Sequence, residues 1–257
     1  MKIKNISFGH DKVSYLFENL TLEIPRGQIT TIIGPNGCGK STLLSLLTKG
    51  NKVKQGEILL GDTNISSMNR KAFAREVAVL HQHNHENLNI TVRELVAYGR
   101  TPHEKMYEVK SKEAEEIIDW ALDCTKLTEL QDRPLNALSG GQRQRAWLAM
   151  SLCQKTEMLF LDEPTTYLDM YYQIELLDLV KKLNEAYNMT IVMVLHDINQ
   201  ALNYSDNIII MKAGKVLKIG SPREIIDPVL IEEVYQVKGK FYEEDGKYYL
   251  LPLGTCK

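Results

Sequence analysis

Residues 34–41 read GPNGCGKS, which satisfies the spacing G-x-x-x-x-G-K-[ST] between an apolar, strand-like run and a helix-like one. Glycines at 34, 37 and 39 let successive backbone N–H groups curl inward around an anion, and the N-terminus of the following helix adds its dipole. In that frame the Lys40 ammonium reaches the β and γ phosphates of a nucleotide, the Ser41 hydroxyl ligates Mg²⁺ and Thr42 stands behind it. Pro35, Asn36 and Cys38 complete the cradle. A glycine turn that merely capped a helix would need neither the lysine nor the serine.

Two further runs carry chemistry. MLFLDE, residues 158–163, is four apolar residues followed by two acids, the form of a buried strand that delivers carboxylates to a sheet edge. Asp162 suits Mg²⁺ held through coordinated water, and Glu163 suits polarising an attacking water. LSGGQ, residues 138–142, opens a helix, with Ser139 and the bare backbone of Gly140 and Gly141 presenting donors to a phosphate. The chain's own cradle already surrounds one, so this stretch reads as serving a second nucleotide bound to a partner subunit.

HQHNHE, residues 81–86, is the remaining candidate, because His81, His83 and His85 share one face of an extended strand and neutral imidazoles ligate zinc, copper and nickel. The other reading is that Gln82 matters and the histidines are its setting.

These residues need elements to hold them. KIKNISF, LTLEI and QITTII (residues 28–33) read as strands, and the last runs into the glycine loop and then LLSLLTKG, a helix ended by Gly50. GEILL and VAVL are further strands, with a short helix KAFAREV before the second. From Thr91 to about Cys153 the spacing turns helical, an inserted lobe. Strands then alternate with helices: MLFLD, YQIELLDLVKKLNEAY, TIVMVLH, INQALNY, NIIIM and KVLKI, which implies a mainly parallel, helix-covered sheet. SPREIIDPVLIEEVY reads as helical, and FYEEDGKYYLLPL as a terminal hairpin turning at Asp245-Gly246.

The bulk composition narrows the classes. At 257 residues, 44% hydrophobic and 25% charged, the chain is an ordinary globular one, and a net charge of −2 without a long basic block gives no footprint for nucleic acid. Its apolar runs are strand-length, far short of a membrane span, and the N-terminus has no secretory h-region. Cys38, Cys124, Cys153 and Cys256 are scattered without a C-x-x-C pair, so they read as reduced thiols.

Taken together the motifs resemble the ATP-binding cassette (ABC) family along almost the whole chain, in the family's order: GPNGCGKST as Walker A, Gln82 as the Q-loop glutamine, LSGGQ as the signature, MLFLDE as Walker B, YLD at 167–169 as the D-loop and His196 as the switch histidine. The resemblance implies an α/β fold, a P-loop NTPase core with a mixed β-sheet, an inserted helical subdomain at about 84–153 and an N-terminal antiparallel β-subdomain. It implies an ATP-binding domain over 1–236 and a C-terminal β-hairpin extension over 237–257. By the same resemblance Glu163 is the general base, His196 contacts the γ-phosphate, Gln82 senses Mg²⁺ and the attacking water, and Asp169 couples two nucleotide sites. Mg²⁺ would be held by Ser41, Gln82 and Asp162. Ser139, Gly140, Gly141 and Gln142 would face the partner's ATP.

Two features depart from the family pattern. It requires no histidines around Gln82, so His81, His83 and His85 read as incidental surface or hinge residues, beside a metal-sensing alternative. It usually stacks an aromatic on adenine; the best match here is His10, with Phe8 and Tyr15 as other candidates. Cys38 in the cradle leads to the expectation that thiol reagents inhibit and that ATP protects.

A free-standing cassette without spans resembles the ATPase of an importer. TVRELVAYGRTPH, EPTTYLDMYYQIELLDLV and LHDINQALNYSD resemble the ATPases of ferric-siderophore, haem and vitamin B12 importers, the siderophore branch closest. That resemblance implies ATP and Mg²⁺, a homodimer of ATPase subunits, two membrane permease subunits docking beside Gln82 and the helical lobe, an extracytoplasmic substrate-binding protein, no nucleic acid, and a peripheral place on the cytoplasmic face of the membrane. A soluble ATPase such as an iron-sulfur assembly factor is the rival class.

Overall fold

The computed structural model describes residues 1–9, 15–81, 89–103 and 111–256. The chain begins with β1 (Lys2–Phe8), β2 (Phe17–Glu23) and β3 (Ile29–Ile33), followed by the glycine loop, α1 (Lys40–Leu47), β4 (Gln55–Leu60) and the short β5 (Thr63–Asn64). Next come α2 (Arg70–Glu76), β6 (Val77–Leu80), α3 (Val92–Tyr98), α4 (Lys112–Cys124), α5 (Gly140–Cys153), β7 (Met158–Asp162) and α6 (Met170–Tyr187). The chain then forms β8 (Thr190–Val194), α7 (Ile198–Tyr204), β9 (Asn207–Lys212), β10 (Lys215–Gly220), α8 (Pro222–Ile225), α9 (Pro228–Tyr235) and the hairpin of β11 (Val237–Glu244) and β12 (Lys247–Thr255).

Two compact units result, one of Met1–Met68 with Thr190–Lys257, the other of Asn69–Met189. In the first, β3 runs parallel to β8 on one side and to β9 on the other, and β10 is antiparallel to β9, a mixed sheet. Every residue of β3 and β8 is buried, which is why ITTII and TIVMV read as unbroken apolar or β-branched runs. A second, antiparallel sheet orders β2-β1-β4-β5, with Ile3, Ile6 and Phe17 fully buried beneath it. The expected α/β class with a mixed sheet and an antiparallel β-subdomain is therefore present.

The terminal hairpin turns at Asp245-Gly246, with φ of 50° and 73°, the doubly left-handed turn that suits the twist of two-residue hairpins. Its strand β12 is held edge-on by α7. Asn203 donates from Nδ2 to Tyr248 O (2.8 Å) and accepts from Tyr248 N (3.0 Å), and Asn199 does the same with Leu250 O (3.2 Å) and Leu250 N (2.6 Å). Two asparagines four residues apart on a helix thus replace a neighbouring strand, and Pro252, next in the alternation, has no N–H to leave open.

The second unit pairs β6 with β7 in parallel, Val77 opposite Met158 through Leu80 opposite Leu161. Its helices are firmly begun: Thr91 with Glu94, and Ser139 with Gln142, form reciprocal capping boxes for α3 and α5. The end of α5 is held by Arg100, which donates to Cys153 O (2.8 Å), and by the His103 ring, 2.8 Å from Gln154 O. The Arg100 cation at the helix C-terminus opposes its negative end, while burial, and then the Arg100 charge, lower the His103 pKa and disfavour a second cation there.

The helix expected from Leu43 starts at Lys40, because Gly39 serves as its N-cap in a left-handed conformation that apolar periodicity does not register. The helix expected across 221–235 is two. Asp227 accepts from Leu230 N (2.7 Å) and Pro228 opens a new helix, so the chain must restart there. Among the described residues no helix is long and apolar enough to cross a membrane.

Candidate nucleotide site

The glycine loop leaves the carboxyl end of β3. Gly34, Gly37 and Gly39 have φ of 153°, 74° and 105°, all in the region that side chains resist. Two of the three are also enforced by contact: a Cβ on Gly34 would stand 2.2 Å from Met211 O, and one on Gly39 2.9 Å from the Phe17 ring. Around Gly37 the space is open, so that glycine answers to conformation alone and leaves the loop's crest bare.

Lys40 is 5% exposed, and its ammonium donates to Gly34 O (2.8 Å) and Pro35 O (3.2 Å). The charge therefore sits inside the curl of the loop, at the start of α1. Asn36, Gly37 and Ser41 are exposed, and Thr42 is half-buried behind them. An anion seated on this crest would meet backbone N–H groups, the helix dipole and the ammonium together.

Beneath the loop everything is packed. The Gly214 N–H donates to Cys38 O (3.0 Å), fixing the loop to the turn between β9 and β10. Cys38 itself is 2% exposed, and burial pushes its thiol pKa up, although the nearby Lys40 charge pulls it down. The expectation that thiol reagents attack Cys38 is overturned: its sulfur faces the interior under Gly34, and a buried neutral thiol is inert.

His196 follows β8, the parallel neighbour of β3, so it emerges at the same sheet edge as the glycine loop. It is exposed, and Asp197 beside it N-caps α7. Adjacent carboxyl ends of parallel strands are where α/β sheets take ligands.

In the second unit β7 is buried until its last residue, and Asp162 and Glu163 at its end are half-buried. Glu163 has φ of 50° and Tyr167 φ of 65°, left-handed conformations of non-glycine residues that bracket the turn. Backbone held in such conformations is costly and concentrates at functional sites. Thr166 closes the turn, its N–H donating to Glu163 O (3.2 Å) and its hydroxyl to Glu163 Oε2 (3.3 Å). Asp169 caps α6 by accepting from Tyr172 N (3.2 Å).

At the start of α5, Gly140 is exposed with open space where a Cβ would go. Gly141 is buried, and a Cβ there would meet the Tyr172 ring at 2.8 Å. Gln142 and Ser139 spend their side chains on the capping box. The bareness of Gly141 thus serves packing against α6, while Gly140 offers open backbone.

The first unit holds the glycine loop and His196; the second holds Asp162, Glu163, residues 139–142 and Asp169. Gln82, His83, His85 and His10 lie outside the described residues. His81 is exposed, and among the described residues no group of three His, Cys, Asp or Glu is gathered to hold a metal. Phe8 is core, 7% exposed, and Tyr15 is 43% exposed with the Lys54 ammonium 5.3 Å from its ring centre. Sequence reasoning missed Gly214, which holds the loop from a turn far along the chain.

The ABC transporter family model matches residues 17–166. Over all 257 residues the chain is 40% identical to the petrobactin import ATP-binding protein FpuC of Bacillus anthracis, covering 94% of that protein. It is 45% identical to the iron(3+)-hydroxamate import ATP-binding protein FhuC of Bacillus subtilis (strain 168) over 90% of this chain and 85% of that one. Among solved structures it resembles the dimeric form of MJ0796, described as a bacterial ABC transporter cassette, with a TM-score of 0.73 and 30% identity over 87% of this chain and 99% of that one.

Proposed function

The chain belongs to the ABC transporter family, and on that premise we propose that it is the ATP-binding and ATP-hydrolysing subunit of an importer that takes up iron(III)-siderophore complexes. The observation that carries the nucleotide reading is the loop itself, three left-handed glycines curled around a buried lysine at the start of a helix. The cargo rests on kinship with FpuC and FhuC along nearly the full chain.

In this reading residues 34–42 hold the ATP phosphates, Lys40 turning its ammonium from the loop carbonyls to the β and γ phosphates. Ser41, exposed at the first turn of α1, and Asp162, half-buried at the end of β7, offer the hard oxygen donors that suit Mg²⁺, with Gln82 as a third. Bound there, Mg²⁺ neutralises phosphate charge. Glu163 takes the proton of the attacking water, held by the Thr166 turn in the orientation its left-handed backbone sets. His196 stabilises the γ-phosphate, and His10 stacks on the base.

Ser139, Gly140, Gly141 and Gln142 face the ATP of a second copy of the chain, and Asp169 couples the two sites, as a head-to-tail homodimer requires. Two permease subunits anchor the pair to the cytoplasmic face of the membrane, and an extracytoplasmic binding protein delivers the cargo. The ATP-binding domain spans 1–236, with 237–257 as its C-terminal hairpin extension.

Uptake of radio-labelled ferric siderophores tests this. Cells carrying Lys40→Ala in place of the native chain should lose accumulation of one class of ferric chelate and keep the others; unchanged uptake of every chelate would refute the reading.

A further inference from the structure

The C-terminal hairpin has one covered edge and one open edge. Its two-residue turn makes Glu244 and Lys247 a hydrogen-bonded pair, so along the antiparallel ladder Tyr242 with Tyr249 and Lys240 with Leu251 are hydrogen-bonded pairs too. Phe241 with Leu250 and Glu243 with Tyr248, in between, turn their backbone N–H and C=O groups away from each other. On the β12 side those groups, at Tyr248 and Leu250, are the ones that Asn203 and Asn199 take up. On the β11 side the corresponding groups of Gly239, Phe241 and Glu243 point outward, and among the described residues no partner meets them. The hairpin itself is fixed in place. Arg223 of α8 donates to Gly246 O at the turn (2.7 Å), pairs with Glu243 (2.9 Å) and lies 5.2 Å from the centre of the Tyr248 ring.

We propose that β11 pairs antiparallel with β11 of a second copy of the chain, joining the two hairpins into one four-stranded sheet across a twofold axis. The contact is isologous and uses no residue of the nucleotide site. It is separate from the head-to-tail contact of the proposed function and does not rest on that reading.

The strand is complementary to itself. Pairing centred on Phe241 makes hydrogen-bonded pairs of the open groups at Gly239, Phe241 and Glu243 and brings residues 238–244 of both copies into the ladder. Phe241 then faces the partner's Phe241, Lys240 faces the partner's Tyr242, and Lys238 faces the partner's Glu244. Lys238, Lys240, Tyr242 and Glu244 are all exposed, and among the described residues neither Lys238 nor Glu244 makes an ion pair. Lysines along an edge ordinarily keep other strands away. Here the twofold axis sets the Lys238 charge against a carboxylate twice over, and Lys240 against an aromatic ring, so the usual repulsion becomes attraction. The charges also select the register. A slip of two residues one way puts Lys240 opposite the partner's Lys240, and a slip the other way leaves only residues 240–244 in the ladder. The irregularity after Lys238 places its extra residue, Leu253, in β12, so the alternation along β11 is unbroken. Because Asn199, Asn203 and Arg223 already hold the hairpin, little ordering is left to do on pairing.

The test uses the full chain without nucleotide, so that pairing through ATP does not enter. Sedimentation over a range of concentrations should show a reversible dimer. The amides of Gly239, Phe241 and Glu243, followed by NMR, should exchange at least about tenfold more slowly well above the dimer Kd than well below it. Lys238→Glu should raise that Kd by about 5- to 30-fold, because two symmetry-related pairs turn repulsive, and adding Glu244→Lys should bring it back to within about threefold of wild type. Cysteines read the register. With Cys124 and Cys256 replaced by alanine, chains carrying Lys240→Cys mixed with chains carrying Tyr242→Cys should form the mixed disulfide at least about tenfold faster than either forms one with itself, since only directly opposed residues lie within disulfide reach. A chain that stays monomeric would overturn the proposal, as would a dimer in which the three amides exchange as fast as in the monomer. Equal rates of mixed and self cross-linking, or a charge-swapped variant as weak as Lys238→Glu alone, would overturn it too.

Discussion

Gly141 and Tyr172 pack so closely that a Cβ on the glycine would stand 2.8 Å from Cγ of the tyrosine ring. Tyr172 also gives its backbone N–H to Asp169, the cap of α6 (3.2 Å). The glycine pair that opens α5 and the acid that opens α6 are therefore one mechanical piece. Under the proposed function, movement of one helix start would carry the other, as coupling between two nucleotide sites would require.

Gly141→Ala should destabilise the protein by about 1–3 kcal/mol, the cost of overpacking, despite alanine's better helix propensity. Tyr172→Ala in the same chain should recover most of that loss. Urea unfolding of the single and double variants measures it, and equal losses in both would remove the packing of Gly141 on Tyr172 as the cause.

Glu163→Gln keeps the shape of the side chain and removes its basicity. ATP binding should persist while kcat falls by about 10²- to 10⁴-fold, the usual worth of a general base. The variant should accumulate as a nucleotide-bound dimer in light scattering with MgATP, and a monomer under saturating MgATP would count against a shared site.

Alkaline pH should weaken the fold through Cys153. Burial raises its thiol pKa from 9.0 to about 12, so between those values the unfolded chain ionises where the folded one does not. The folded state then binds more protons, and the unfolding free energy falls as pH rises through that window, by at most about 1.4 kcal/mol per pH unit for this group. Cys153→Ala should flatten the slope measured by urea unfolding at pH 8, 9 and 10; an unchanged slope would assign it to other groups.

The asparagine clamp makes the hairpin a local probe. Replacing Asn199 and Asn203 with leucine frees the N–H groups of Tyr248 and Leu250, which should speed their hydrogen exchange by at least about tenfold, in line with about 1–2 kcal/mol for each hydrogen bond removed. The β3 amides should keep their protection.

Much of this was legible in the chain. GPNGCGKST and MLFLDE announce themselves because their chemistry needs fixed residue types at fixed short spacing, and the Asp245-Gly246 turn because its backbone needs them too. What was not legible depends on residues that meet across long separations. Cys38 looks like an exposed crest residue until Gly214, far along the chain, is seen to hold its carbonyl. Gly141 looks like a bare phosphate donor until Tyr172 fills the space beside it. Asn199 and Asn203 look like surface helix residues, since their partners lie 51 and 45 residues away. The break at Pro228 was open to local reasoning, because Asp227-Pro228 is a helix start, and apolar periodicity on both sides obscured it.

The central claim, an ATPase that drives import of ferric siderophores, is tested most directly by purifying the tagged protein from detergent-solubilised native membranes and identifying what comes with it. The account predicts a polytopic permease together with a ferric-chelate binding protein. Recovery of soluble partners alone, with no permease, would contradict it and point to an assembly ATPase instead.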